Sequence, residues 1–431
     1  MNEIAEKASP EDHPSLAEAT QVWWKIGLLS FGGPAAQIAL MHTEVVQKRQ
    51  WLSEQQFLNA LSFCMLLPGP EAMQLSTYAG WRLHGTRGGL TAGLLFVLPG
   101  AVVIMVLAAI YSSFGDVPLV SALFYGIKAA VLVVVVEALL RVSRKALTRQ
   151  LHWLIATLAF VGIFFFSISY PLIVLMAGFI GWFTGSSGQQ ENFTSSKRVS
   201  ARETLKTIFI WLFIWLLPLL ALALFGAPDI LVEIGKFFST LAVVTFGGAY
   251  AVLAYMAQDA VVQFNWLTAG EMTDALGLAE TTPGPLILVT QFVGFLAGFK
   301  EGGLSLGFSA ALVALWTTFT PCFLWIFAGA PYIDWISTQP RLKGALQAIT
   351  AAVVGVILNL SIWLAMHVLF SEVYYEKLGP LTLWQPVLAS IEWLAAALFL
   401  FSCFLAFHLH WSITRILLLA ALLGAALRLL Q

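Results

Sequence analysis

Apolar positions in this chain do not alternate or fall in stripes; they run on. Apolar stretches lie near 20–42, 57–81, 89–113, 119–140, 151–168, 169–184, 207–226, 231–257, 271–298, 303–330, 344–370, 386–408 and 411–429, separated by charged or turn-rich breaks. A bilayer core about 30 Å thick takes around 20 apolar helical residues. The pattern therefore predicts an all-α polytopic membrane protein with about 13 spanning segments, several of them interrupted by Gly or Pro and able to re-enter instead of crossing. The stretches 151–168 and 169–184 are short and split only by Tyr170-Pro171, which predicts a tight hairpin. A Ser/Gly/Gln/Asn-rich stretch between Thr184 and Lys206 reads as the linker. The predicted organisation is a polar tail over 1–19, an N-terminal repeat over 20–184, a linker over 185–206 and a C-terminal repeat over 207–431.

Composition supports a membrane protein. Of 431 residues, 59% are hydrophobic and only 10% charged, against roughly 25% charged in a soluble domain. The mean hydropathy is +0.85. A net charge of −1 without basic blocks argues against nucleic acid. Cys64, Cys322 and Cys403 stand apart in apolar runs and read as small buried hydrophobes. The start, Met1 to Thr20, is polar and acidic and lacks the basic region of a cleaved signal, so the first apolar segment is expected to stay.

Positive charge orients membrane helices. Arg141, Arg144, Lys145 and Arg149 follow the fourth stretch, and Lys197, Arg198, Arg202 and Lys206 sit in the linker, so both clusters are expected in the cytoplasm. Counting spans then places the N-terminus inside and the C-terminus outside. Arg82 and Arg87 fall inside, while Lys48 and Arg49 fall outside, against the rule.

Two parts of the chain resemble each other. Phe31-Gly32-Gly33 recurs as Phe246-Gly247-Gly248, Trp51-Leu52 as Trp266-Leu267, and Pro68-Gly69-Pro70 as Pro283-Gly284-Pro285, each shifted by 215. Gly88-Gly89 recurs as Gly302-Gly303. An odd number of expected crossings separates the two sets, so the repeats should have opposite orientation, an arrangement found in secondary transporters.

These motifs break helices. Proline removes a donor and clashes with the preceding turn, and glycine tolerates strained dihedrals. A break followed by proline opens a new helix N-terminus, whose free N–H groups and about half a positive charge suit an anion. Gly33-Pro34, Gly69-Pro70-Glu71 and Gly284-Pro285 are each expected to open such a half-helix; the structural alternative is a kinked helix packed closely through glycine. Two helix termini supply about one positive charge, so a doubly charged anion needs roughly one more. Lys128, inside the apolar run Leu119–Val136, is the candidate, with Arg82 second. Glu71 and Glu280 adjoin the Pro-Gly-Pro motifs; burial and a nearby anion both favour the protonated form of a carboxylate, so either suits a proton carrier. Thr281 and Thr282 offer hydroxyls to an oxyanion or a helix cap, and Glu44 reads as a solvated loop residue.

The run Phe31-Gly32-Gly33-Pro34, Met41-His42, Glu44, Trp51 and Cys64-Met65-Leu66-Leu67-Pro68-Gly69-Pro70-Glu71, then Gly80-Trp81-Arg82-Leu83-His84, resembles the chromate transporter family. Phe246-Gly247-Gly248-Ala249-Tyr250, Gly277-Leu278-Ala279-Glu280-Thr281-Thr282-Pro283-Gly284-Pro285 and Phe292-Val293-Gly294 fit the same family. The resemblance covers most of 20–145 and 236–360 and fits the long, two-domain form. It implies a bacterial inner-membrane exporter that lowers cytoplasmic chromate and gives resistance, driven by the proton-motive force, with sulfate as a mimic. The chain departs from the family pattern at Ala129, where Gly-Ile-Lys-Pro is common, and at Met73, where glutamine is frequent; Gln74 remains available to a substrate. The resulting expectation is alternating access, with the dianion held by backbone N–H groups at the breaks and by Lys128. The partners expected are chromate or sulfate and membrane lipid, with a homodimer left open. An importer or exchanger of sulfate is the main alternative. An intramembrane enzyme is remote, since no HExxH, GxSxG or aspartate cluster is present; no catalytic site, metal or cofactor is expected.

Overall fold

The computed structural model describes residues 14–429 apart from 116, 186–199, 247 and 334–338. Gly247, the first 13 residues and most of the linker lie outside the described residues.

Local chemistry sets the first elements. Helix α1 (Leu16–Leu29) opens at Ser15, whose hydroxyl accepts the Glu18 N–H. It stops at Ser30, where Phe-Gly-Gly-Pro cannot continue a helix. Helix α2 (Gly33–Met41) continues into a π-helical turn, His42–Lys48, and doubles back along α1. Lys25 of α1 meets Glu44, and the Trp23 and Trp51 rings lie 6.2 Å apart. Helix α3 (Glu54–Cys64) opens with a capping box between Ser53 and Gln56 and runs to the first Pro-Gly-Pro.

Helix α4 (Glu71–Phe114) is folded on itself. At His84 and Gly85 the backbone leaves the helical region, with Gly85 at φ +59°. The arms 71–83 and 86–114 then lie back to back. Ser76 Oγ donates to Ala92 O at 3.2 Å, and a Cβ on Gly80 would stand 2.3 Å from Gly88 O. Only glycine permits that approach. The stretch expected as a span over 57–81 is thus a hairpin about residues 68–70, and the one over 20–42 folds back at Ser30–Gly33. The start of α1 sits at the α4 turn, where His84 Nε2 donates to Pro14 O at 2.6 Å.

Helices α5 (Pro118–Ala146), α6 (Gln150–Phe166) and α7 (Tyr170–Thr184) complete the first half, with the expected hairpin between the last two. After α8 (Ala201–Leu224) the pattern returns. Helix α9 (Asp229–Val244) ends at the second Phe-Gly-Gly, and α10 (Ala249–Gln258) leads into a π-helical turn, Asp259–Gln263. Helix α11 (Ala269–Thr281) opens with a capping box between Thr268 and Glu271. A 3-10 turn, Leu286–Leu288, starts α12 (Val289–Gly329), which folds on itself at Gly302 and Gly303. Even the left-handed turn residues agree, Gln50 at φ +54° and Asn265 at φ +53°. The helix Pro340–Leu369 answers α5 at a shift of 222: Ile127-Lys128-Ala129-Ala130-Val131 faces Ile349-Thr350-Ala351-Ala352-Val353 in register.

The all-α expectation needs one correction. Strands β1 (Val373–Leu378) and β2 (Leu381–Pro386) pair antiparallel across Gly379, whose φ of +62° suits the turn. Aromatic and β-branched residues beside a Gly-Pro pair favour this over a helix. The last helices are Trp393–Cys403 and Ile413–Leu429.

Large apolar side chains are left outside. Phe179 is 67% exposed, Phe183 70%, Phe209 72% and Phe225 88%. Among the described residues, five helical segments are long and apolar enough to cross a membrane, and shorter apolar helices accompany them. Such a belt is stable only against lipid, so this is a multi-pass membrane protein.

Candidate functional site

The four breaks are tied in crossed pairs. Gly69 N donates to Thr245 O at 3.1 Å, and Gly284 N donates to Ser30 O at 2.8 Å. Each Pro-Gly-Pro therefore hangs from the residue preceding the other repeat's Phe-Gly-Gly. Both pairs are related by the same shift of 215. Gly69 (φ +109°) and Gly284 (φ +89°) hold a backbone conformation that a side chain would strain. Buried glutamines secure the crossing: Gln74 Nε2 donates to Pro68 O and Gln37 Nε2 to Gly284 O, each at 2.7 Å. A Cβ on Gly100 would stand 2.1 Å from Pro283 O, so the second Pro-Gly-Pro packs directly on the α4 backbone.

Three of the four breaks open onto one cavity of about 440 Å³. Its wall takes Pro34 and Ala35 from the start of α2, Gly69 and Glu71 from the start of α4, and Phe246, Gly248, Ala249 and Tyr250 from the start of α10. Free N–H groups of three helix N-termini thus converge there. Arg141 and Lys145 at the end of α5, and Lys343 at the start of the 340–369 helix, add cationic side chains, and His152 lies beside them. Because corresponding helices contribute opposite ends to one cavity, α5 and the 340–369 helix run antiparallel there.

One carboxylate lines this space and a second lies behind its wall. Glu71 reaches across to the other repeat: a Cβ on Gly248 would stand 3.4 Å from its Oε1, and its buried Oε2 has no hydrogen-bond partner among the described residues. Glu71 therefore occupies the positive end of α10. Glu280 is buried behind Tyr250, whose hydroxyl donates to Oε1 at 3.1 Å, while Oε2 has no partner among the described residues. Arg141, ion-paired to Glu137, lies within electrostatic reach of Glu280.

The remaining predicted residues are placed as follows. Gly32 (φ +84°) and Gly33 (φ +77°) form the first break, but Phe31 is 44% exposed and does not line the cavity. Pro70 caps α4 and Pro285 caps the 3-10 turn of the second half. Thr281 and Thr282 bond back to the α11 carbonyls of Leu278 and Ala279, which is the capping alternative. Lys128 stands apart from the cavity, 3.3 Å from Asp274 Oδ2. Arg82 is exposed beside the α4 turn. Glu44, expected to be solvated, is 1% exposed and ion-paired with Lys25, Lys48 and Arg49; convergence of three cations makes its burial affordable.

Sequence reasoning missed Arg141, Lys145 and Lys343 as site residues. The first two were visible as a basic cluster but read only as orienting charge; Arg141 lies four residues past Glu137 on an otherwise apolar helix, which was the available signal.

The chromate transporter family model matches residues 17–182 and 232–425, and each match holds one Phe-Gly-Gly and one Pro-Gly-Pro. The chain is similar to a "Probable chromate transport protein" of Synechococcus elongatus, 31% identical over 347 residues, covering 80% of this chain and 84% of that protein. It is similar to a "Chromate transport protein" of Cupriavidus metallidurans, 27% identical over 358 residues (81% and 83% coverage), and to one of Pseudomonas aeruginosa, 29% identical over 373 residues (85% and 83%). No solved structure matches the chain. With both halves matched and the breaks gathered at one cavity, the chain belongs to the chromate transporter family.

Proposed function

We propose that the protein carries chromate out of the cytoplasm across the inner membrane, using the proton-motive force, and so confers chromate resistance. The observation that carries the reading is the meeting of three helix N-termini with Arg141, Lys145 and Lys343 around one cavity. A tetrahedral dianion suits that charge. Three N-termini offer on the order of one and a half positive charges before the side chains are counted. These three cations take the role the sequence pointed to in Lys128.

The two halves are read as inverted repeats, supported by the reciprocal bonds of Gly69 and Gly284 and by the antiparallel run of α5 and the 340–369 helix. The segments 16–48 and 54–83 then dip into the membrane from one side, and 229–263 and 269–301 from the other. The crossing helices among the described residues are 86–114, 118–146, 150–166, 170–184, 201–224, 304–332, 340–369, 393–408 and 413–429. Lys48, Arg49, Arg82, Arg87, Arg141 and Lys145 all fall on one side in this scheme. That removes the conflict over Lys48 and Arg49 and puts the cavity on the cytoplasmic face, the N-terminus inside and the C-terminus in the periplasm. An inside-negative potential favours outward movement of a dianion by about 2.3 kcal/mol per charge per 100 mV.

Glu71 supplies the proton link. Its carboxylate holds the end of α10 that the anion would use, and one small site does not hold both negative charges. The anion enters when Glu71 takes a proton or withdraws, and Glu280 behind Tyr250 is a second carrier. The test is chromate uptake into inside-out membrane vesicles. Arg141→Ala should lower the rate at least about tenfold, as expected for a lost charge-assisted contact. Undiminished uptake removes this cavity from the path, and preferential uptake of sulfate in competition replaces chromate with sulfate as the cargo.

A further inference from the structure

Lys128 is a partly buried cation that does not line the cavity. It sits toward the end of the α5–α11 seam opposite the cavity, ion-paired at 3.3 Å to Asp274, which is 3% exposed. Tyr111 donates to the same Oδ2 at 2.8 Å, and Asp274 Oδ1 has no partner among the described residues. Around the pair the seam is shut. A Cβ on Gly277 would stand 2.3 Å from Ile127 Cγ2, and Phe124 packs edge-on against Tyr111 at 5.2 Å.

The same seam in the other repeat is open. Its counterparts are α3 and the 340–369 helix, and between Cys64–Leu67 of one and Leu346, Gln347 and Thr350 of the other lies the 440 Å³ cavity. At the shifts of 215 and 222, Cys64 corresponds to Ala279, Asp274 to Asn59, and Lys128 to Thr350. So the closed seam carries an ion pair where the open seam has two neutral residues, Thr350 in the cavity wall and Asn59 exposed on α3 and bonded to Gln55. Both side chains are buried, Ala279 at 5% and Cys64 at 0% exposure, but Cys64 stands in the cavity wall.

We propose that the Lys128–Asp274 ion pair latches the far-side gate of the transport path, and that its release opens a second cavity between α5 and α11. Inverted repeats reach their second state by exchanging conformations, so the cavity that closes on one side reappears at the mirror positions on the other. Freed from Asp274, Lys128 lines that opening and presents a cation to the departing anion. The inference rests on the inverted-repeat reading above and not on the identity of the cargo.

The test uses the full chain with Cys64→Ser, Cys322→Ala and Cys403→Ala, carrying Ala279→Cys as the probe. A membrane-impermeant maleimide is applied from the periplasmic side, with Gly379→Cys on the exposed β-hairpin as the accessible control. In the parent the probe should label slowly. Asp274→Asn and Lys128→Met should each speed labelling about tenfold by shifting the gate equilibrium. The exchanged pair, Lys128→Asp with Asp274→Lys, should return the rate toward the parent, which an unfolded chain cannot do. Parent-like rates in both single variants, with the control labelling normally, overturn the latch; so does an exchanged pair as open as the singles. The readout needs no chromate. A chain that fails to carry chromate but passes this test loses its substrate assignment and keeps its gate.

Discussion

The two repeats share a backbone and differ in charge. Both stop a helix at Phe-Gly-Gly, tie a Pro-Gly-Pro glycine to the other repeat, place a left-handed residue before Trp51 or Trp266, and restart with a capping box. Yet Glu71 corresponds to Leu286, Met65 to Glu280, Lys128 to Thr350 and Arg141 to Trp363. A duplicated backbone builds a two-fold frame with paired helix ends, which by itself has no preferred side. The unmatched charges distinguish its faces: cations border the cavity, and an ion pair lies at the α5–α11 seam. The shared residues therefore carry the frame, and in the proposed cycle the unshared ones carry direction and coupling.

The largest effect should come from forcing the frame to match where it does not. Gly100 corresponds to Cys322 at the shift of 222, and Cys322 fits because it faces Gly69, whose Cβ position lies 3.0 Å from its sulfur. Gly100 faces the Pro283 carbonyl at 2.1 Å. Gly100→Cys must move backbone, at a cost of about 3 kcal/mol, and should abolish transport while lowering the melting temperature of the purified protein. The reverse change, Cys322→Gly, leaves only a small void and should cost about 1 kcal/mol. Equal costs for the two would mean that the crossed pairs are not packed as described.

The frame was legible in the sequence because glycine and proline act locally. Phe31–Pro34, Pro68–Pro70 and Pro283–Pro285 break helices wherever they are placed, and their spacing exposed the duplication. What was not legible depends on contacts between distant residues. The turn at His84-Gly85 falls in the break read between the stretches 57–81 and 89–113, but the back-to-back packing of the two arms depends on Gly80 meeting Gly88 and Ser76 meeting Ala92. Lys128 was recognised as a costly buried cation, but its partner lies 146 residues away on α11. Arg141 and Lys145 look like any positive cluster at a helix end until the other repeat brings Gly248 and Lys343 to face them. The strand pair at 373–386 was readable from Val373-Tyr374-Tyr375 and Gly379-Pro380, but two neighbouring apolar stretches masked it.

A smaller effect should separate coupling from binding. Leu286 in the second repeat cannot take a proton, so of this matched pair only Glu71 can serve the proposed coupling. Chromate affinity of the purified protein should weaken as pH rises, by up to about tenfold per pH unit for one linked proton. Glu71→Gln should bind with a nearly flat profile while remaining folded. A variant that keeps the parent's slope moves the proton site elsewhere, Glu280 being next.

The smallest expected effect compares Glu44 with Asp259, which occupy one position in the two repeats and lie outside the spanning helices. Burial pushes the Glu44 carboxyl up, but its bonds to Lys48, Lys25 and Arg49 prevail and hold it at about 2. Asp259 has no ion pair among the described residues; burial pushes it up to about 6, only partly offset by the Tyr255 hydroxyl. The signs are opposite. Ionised Glu44 stabilises the fold above the ordinary carboxylate range, and that stabilisation is lost as pH falls from about 4.5 through about 2. Protonated Asp259 is the favoured folded form, so its contribution is present below about 3.8 and is lost as pH rises through about 6. Between pH 4 and 7 the melting temperature of Asp259→Asn should gain on the parent as pH rises, since the amide never ionises. Glu44→Gln should lie below the parent by a nearly constant margin over the same range, closing only in stronger acid. Parallel curves for Asp259→Asn and the parent would show that this carboxylate is already ionised at pH 4 and that the two repeats are electrically alike at this position.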